Sequence, residues 1–110
     1  MSLSTHVLDT TNGRPAAGIR IALDDGEATL FTGVTDADGR CAALRQLDLR
    51  AGRYTLRFGI AAYFRDAGAV LPDPPFLDEV LIAFGIAEPA GHYHVPLLVS
   101  PFGYSPYRGS

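Results

Sequence analysis

An all-β sandwich or barrel is the fold class that this sequence predicts, and three observations lead to it. Short runs of two-residue apolar and polar alternation recur along the chain. Glycine, proline and aspartate separate these runs, and one stretch alone carries helical spacing. At 110 residues the chain has the length of one domain, able to bury roughly two thirds of the surface its unfolded form exposes. One core over residues 1–110, with no second domain, is the expectation.

The first strand is predicted near Ser4 to Asp9, ahead of Asn12-Gly13, which supplies the positive-φ residues of a tight turn. In Ile19 to Asp24, Ile19, Ile21 and Leu23 point one way and Arg20, Ala22 and Asp24 the other, and Asp25-Gly26 then turns the chain. Strands near Thr29 to Thr35 and Cys41 to Leu44 flank a further turn at Asp38-Gly39. The clearest alternation is Arg53 to Gly59, with Tyr54, Leu56 and Phe58 on the core face and Arg53, Thr55 and Arg57 on the wet one. Ala61 to Ala69 is the one predicted helix, from the spacing of Tyr63, Phe64 and Ala67 and a capping Gly68. Asp73 to Pro75 resets the chain into extended form before strands near Val80 to Ile86, Tyr93 to Ser100 and Gly103 to Arg108.

Composition removes several function classes. Apolar runs such as Val95 to Val99 are far too short to cross a bilayer, and a content of 47% hydrophobic and 19% charged residues is that of a globular protein. The polar start, MSLSTH, has no basic or apolar signal region, so cytoplasmic residence is expected. Cys41 is alone, which precludes an internal disulfide and a cysteine-rich zinc site, and it reads as a small, buried, inert residue. All nine basic residues are arginines scattered from Arg14 to Arg108, so there is no basic stripe for nucleic acid. Absence of lysine removes Schiff-base chemistry, and no glycine-rich phosphate loop is present.

The three histidines concentrate in two places, His6 in the first strand and His92 and His94 in the penultimate one. Alternation in HYHVPLLVS sets Tyr93, Val95, Leu97 and Val99 toward the core and His92, His94, Pro96, Leu98 and Ser100 outward. An outward face mixing histidine with leucine suggests burial against another subunit. Three readings of the histidines stand: packed structural residues, a metal site built on the HxH pair, and acid–base hydrolysis. For the metal reading, no carboxylate or cysteine is evident to complete the ligand set.

Three segments carry a family resemblance. LSTHVLDTTNGRPA from Leu3 to Ala16, TDADGR from Thr35 to Arg40, and the closing run that ends in YRGS, Tyr107 to Ser110, resemble in order the signature stretches of the 5-hydroxyisourate hydrolases, the enzymatic branch of the transthyretin-like proteins. Two departures stand out, Pro106 where the family more often has threonine and Phe102 where it more often has tyrosine. Pro106 lacks an N–H and restricts Ser105, which bears on how the tail pairs with a neighbouring strand.

The resemblance implies a transthyretin-like β-sandwich of about eight strands in two sheets with one short helix. It implies a homotetramer with sites where dimers face each other, and a metal-independent, cofactor-free hydrolysis of 5-hydroxyisourate to 2-oxo-4-hydroxy-4-carboxy-5-ureidoimidazoline in urate breakdown. By residue, the family's catalytic positions fall on His6, Arg40, His94 and Ser110, with Tyr107 and Arg108 joining His6 and Arg40 in binding the heterocycle. Either His6 or His94 is the base. The alternative on the same fold is a carrier of a small apolar or aromatic ligand without catalytic activity.

Overall fold

Two-residue periodicity becomes a strand wherever one set of side chains can be buried and the other left at a surface. In the computed structural model, which describes residues 2–109, the chain forms β1 (Ser2–Asp9), β2 (Arg14–Pro15), β3 (Arg20–Asp24), β4 (Thr29–Val34), a 3-10 helix (Ala42–Gln46), β5 (Gly52–Gly59), α1 (Ile60–Asp66), β6 (Glu79–Ile86), β7 (His92–Ser100) and β8 (Gly103–Pro106). Two four-stranded sheets result, ordered β2-β1-β7-β8 and β4-β3-β5-β6. All neighbours are antiparallel except β1 and β7, which run parallel in the register Ser4 to His94 and His6 to Pro96.

The core lies between the sheets. Leu3, Val7 and Leu97 from one and Leu23, Leu56 and Phe58 from the other are wholly shielded from solvent, each worth about 1.5–3 kcal/mol of transfer free energy. The predicted inward faces are the observed ones in β5, with Tyr54, Leu56 and Phe58 buried, and in β7, with Tyr93, Val95, Leu97 and Val99 buried.

Four elements differ from the sequence expectation. Cys41 to Leu44 is not a strand: Cys41 is extended and buried, but Ala42–Gln46 then closes a 3-10 turn in which Leu44 N–H donates to the Cys41 carbonyl and Leu44 fills the core. CAALRQ has no β-branched residue to resist that turn. A two-residue strand, Arg14–Pro15, pairs with Leu8 and Asp9 and is too short to show periodicity. The terminal strand ends at Pro106 rather than Arg108, yet the tail stays on β7, because Tyr107 N–H donates to the Pro96 carbonyl at 3.3 Å and Gly109 N–H to the His94 carbonyl at 2.8 Å. The helix is Ile60–Asp66 rather than Ala61 to Ala69, and it buries Ile60, Ala61, Tyr63 and Phe64.

One buried polar cluster ties α1 to β1. The Asp9 carboxylate, 1% exposed, accepts from the backbone N–H groups of Thr11 and Asn12, from Asn12 Nδ2 at 2.7 Å and from the Tyr63 hydroxyl at 2.7 Å. Burial alone would raise the pKa of this carboxyl, but the bonds from Asn12, Tyr63 and Thr11 outweigh it and hold the pKa below its ordinary value. A depressed folded-state value means that the contribution is complete above the unfolded pKa, about 3.9, and is lost as pH falls through the folded value. Tyr63→Phe should therefore lower stability by about 1.5–3 kcal/mol at neutral pH in urea unfolding with an unchanged m value. The difference from the parent should shrink once the pH is taken below about 3.9.

Candidate active site

The parallel register of β1 and β7 builds the site. Alternation turns Ser2, Ser4 and His6 of β1 and His92, His94 and Pro96 of β7 to the same outer face, so that Ser2 sits beside His92, Ser4 beside His94 and His6 beside Pro96. Ser4 Oγ lies 2.7 Å from Nδ1 of His94, and Ser2 Oγ meets Nδ1 of His92 in the same way one rung along. The two β7 imidazoles are consequently near parallel, 15° apart with centroids 6.4 Å from each other.

Arg40 reaches this face by a tightly specified turn. Asp36 Oδ1 accepts from the N–H groups of Asp38 and Arg40, at 2.9 and 3.0 Å, and Gly39 N–H donates to the Asp36 carbonyl. Gly39 adopts φ of 75°, and its carbonyl accepts from Val7 N–H at 2.8 Å; a Cβ there would stand 2.4 Å from the Val7 carbonyl oxygen. The turn thus docks on β1, and Arg40 bridges His6 with Nη2 3.5 Å from Nδ1. A guanidinium only donates, so the facing His6 nitrogen is an acceptor.

The tail closes the other side. Gly109 bridges His94, and a Cβ at Gly109 would lie 2.5 Å from His94 Cδ2, so the backbone packs directly on the ring. Tyr107 is exposed beside Pro96, whose carbonyl accepts its N–H. Arg108 is turned elsewhere, over the Tyr93 ring at 4.5 Å and donating to the His92 carbonyl at 3.2 Å. Of the sequence-predicted residues, His6, Arg40 and His94 share the face, while Tyr107 and Arg108 line a cleft at its edge with Ile82, Phe84 and Tyr93; Ser110 lies outside the described residues. The sequence reading missed Ser4, Asp36 and Gly109, although Ser4 stands two residues before His6 and so on its side of the strand.

Electrostatics favour a neutral His94. Partial burial lowers its pKa, the Arg40 charge and the neighbouring His92 and His6 lower it further, and only a hydrogen bond to the Ser4 backbone opposes them. A half-buried imidazole is thereby kept in its basic form beside a fixed cation. Among the described residues no three of histidine, cysteine, aspartate and glutamate gather as metal ligands, and the HxH rings lie stacked with each Nδ1 engaged by a serine. A hollow of about 370 Å³ beside Ser4, Asp36 and Arg40 opens next to the site, as does an apolar cleft of about 240 Å³ along His94, Tyr107 and Arg108. A larger hollow, about 510 Å³, is on the outer face of the other sheet, where Arg57 is already paired with Asp24 and Glu79.

Fold and face together define a transthyretin-like sandwich that carries histidine–arginine chemistry on the outside of one sheet. The chain belongs to the HIUase/Transthyretin family, whose model matches residues 3–109. The 5-hydroxyisourate hydrolase of Mesorhizobium japonicum is 58% identical to it over 98% of this chain and 91% of its own length. Among solved structures, 5-hydroxyisourate hydrolase of Klebsiella pneumoniae superposes with a TM-score of 0.85 at 39% identity, covering 99% of this chain and 93% of that one. Transthyretin from Sparus aurata superposes as well, at 0.86 with 30% identity over 98% and 96% of the two chains. Backbone similarity therefore does not separate enzyme from carrier, and the side chains on the face must.

The packing of the tail on His94 has a direct test. Gly109→Ala should displace the His94 ring and shift its NMR resonances and titration while leaving core signals in place. Gly103→Ala, whose Cβ would meet only Ser100 Oγ at 3.7 Å, should not.

Proposed function

We propose that this chain hydrolyses 5-hydroxyisourate, opening its six-membered ring to 2-oxo-4-hydroxy-4-carboxy-5-ureidoimidazoline in urate catabolism. The observation that carries the reading is the convergence of His6, Arg40 and a neutral His94 on one outer face. The 5-hydroxyisourate hydrolases at 58% and 39% identity support the same substrate. A carrier of an apolar ligand has no use for these groups together.

In this reading His94 is the general base. Its Nε2 takes a proton from water as the oxygen attacks the ring carbonyl carbon, a contribution on the order of 10²–10⁴. Arg40 lies beside the forming oxyanion and cannot lose its charge, and a preorganised donor of this kind contributes about 10²–10³. His6 accepts from Arg40 through Nδ1 and so offers Nε2–H to the substrate. When the tetrahedral carbon collapses, the carbon–nitrogen bond breaks and the His94 imidazolium returns its proton to the departing nitrogen. Tyr107 and Ser110 complete the site by holding the heterocycle and orienting histidine or water, and Arg108 joins them on leaving the Tyr93 ring.

As assembly we propose a homotetramer with sites facing across the dimer–dimer interface. Supporting it are the half-buried histidine face with Leu8 and Leu98, the uncovered edge strands β6 and β8, and the exposed Leu81, Phe102 and Tyr104. Residues 1–110 act as one hydrolase domain, and the cytoplasm is its proposed location, in keeping with a lone cysteine. Among the described residues no helix is long and apolar enough to cross a membrane.

The decay of freshly generated 5-hydroxyisourate, followed by ultraviolet absorbance with chelator-treated protein, should be accelerated and should yield one stereoisomer. Decay at the spontaneous rate would return the chain to the carrier class, and loss of acceleration on chelation would point to a metal at the HxH pair. His94→Asn should keep the fold and lose at least about a hundredfold in kcat/KM. Because the base must be unprotonated and its pKa is lowered, activity should fall toward acid with a midpoint below the ordinary histidine value of about 6.5.

A further inference from the structure

Ser4 is sent outward by strand alternation, yet it is only 5% exposed. Its side chain has one hydrogen-bond partner among the described residues, the Nδ1 of that imidazole. The opposite edge of the ring, at Cδ2, is closed by the Gly109 backbone, against which even a methyl group would collide. Clamped on those two edges, the ring has Nε2 and Cε1 left for the open face. A rotation of half a turn about its ring axis would exchange Nδ1 for Cδ2 and forfeit the bond to Ser4.

Resting on the hydrolase reading, we propose that Ser4 is the positioning residue of His94, its hydroxyl accepting the Nδ1–H bond and fixing the tautomer whose Nε2 lone pair meets the water. A serine suits this place better than the carboxylate that orients histidine in serine proteases. A carboxylate would favour the imidazolium, and a protonated His94 could not act as base. A hydroxyl directs the ring while adding no charge, so the groups facing His94 retain control of its protonation. Those groups are His92 on its own strand, His6 across on β1 and Arg40 from the turn. The rung formed by Ser2 and His92 joins the same two atom types at an exposed position and serves as an internal control.

Two-bond nitrogen–proton NMR of uniformly labelled protein should find neutral His94 with its proton on Nδ1. Ser4→Ala should give a mixture of tautomers and a loss in kcat of about 10- to 100-fold, with KM changed less than twofold. Ser4→Thr should restore both tautomer and rate, and Ser2→Ala should alter neither. Ser4→Asp should move the acid limb of the pH profile upward. A proton on Nε2 of the parent's His94 would overturn the proposal, as would Ser4→Ala with parental kcat and tautomer. The NMR result on the parent protein decides the matter even if Ser4→Ala does not fold. Should the parent fail to hydrolyse 5-hydroxyisourate, the functional reading falls while the tautomer still tests the role of Ser4.

Discussion

Everything at the candidate site hangs on the parallel pairing of β1 with β7. Eight residue pairs, from Ser2 with His92 to Asp9 with Val99, lock two segments 90 positions apart into one register. A slip of one residue would turn His94 into the core and Val95 out to the surface, so the buried set Tyr93, Val95, Leu97 and Val99 enforces the register with the energy of the core. The chemistry on the outer face is therefore aligned by packing on the inner one. That is why the serine rungs can be formed by short side chains: backbone spacing alone brings Ser4 to His94.

Two glycines then admit the remaining parts. Gly39 lets the Asp36 turn press against the Val7 carbonyl, which brings Arg40 to His6. Gly109 lets the tail lie flat on the imidazole of His94. Each sits where a side chain would hold apart two elements that the site needs in contact. The result is a histidine pair with a fixed cation beside it, on a sheet whose other face is inert core.

Much of this was legible in the sequence because alternation is a local property. The faces of β5 and β7 could be read from Tyr54, Leu56 and Phe58 and from Tyr93, Val95, Leu97 and Val99, and Asp38-Gly39 announced its turn. The segment after Cys41 was misread because Cys41 is itself extended and buried, and only the small Ala42 and Ala43 let the chain tighten there. The partnership of Ser4 with His94 was beyond a local reading, since nothing short-range says which strand lies alongside the first. Arg108 was placed by motif alone, and no pattern in the chain foretells that its guanidinium lies over Tyr93.

The pairing of β1 with β7 also orders events in time. Every strand of the sheet β4-β3-β5-β6 lies before residue 87, whereas β1 must wait for His92 to Val99 before its inward edge is satisfied. Loops of this length close slowly, so β1 keeps a bare edge until the segment from His92 to Val99 joins it. His6 and His94 have no site to share before then, and every partly made copy is without the constellation that distinguishes the folded protein.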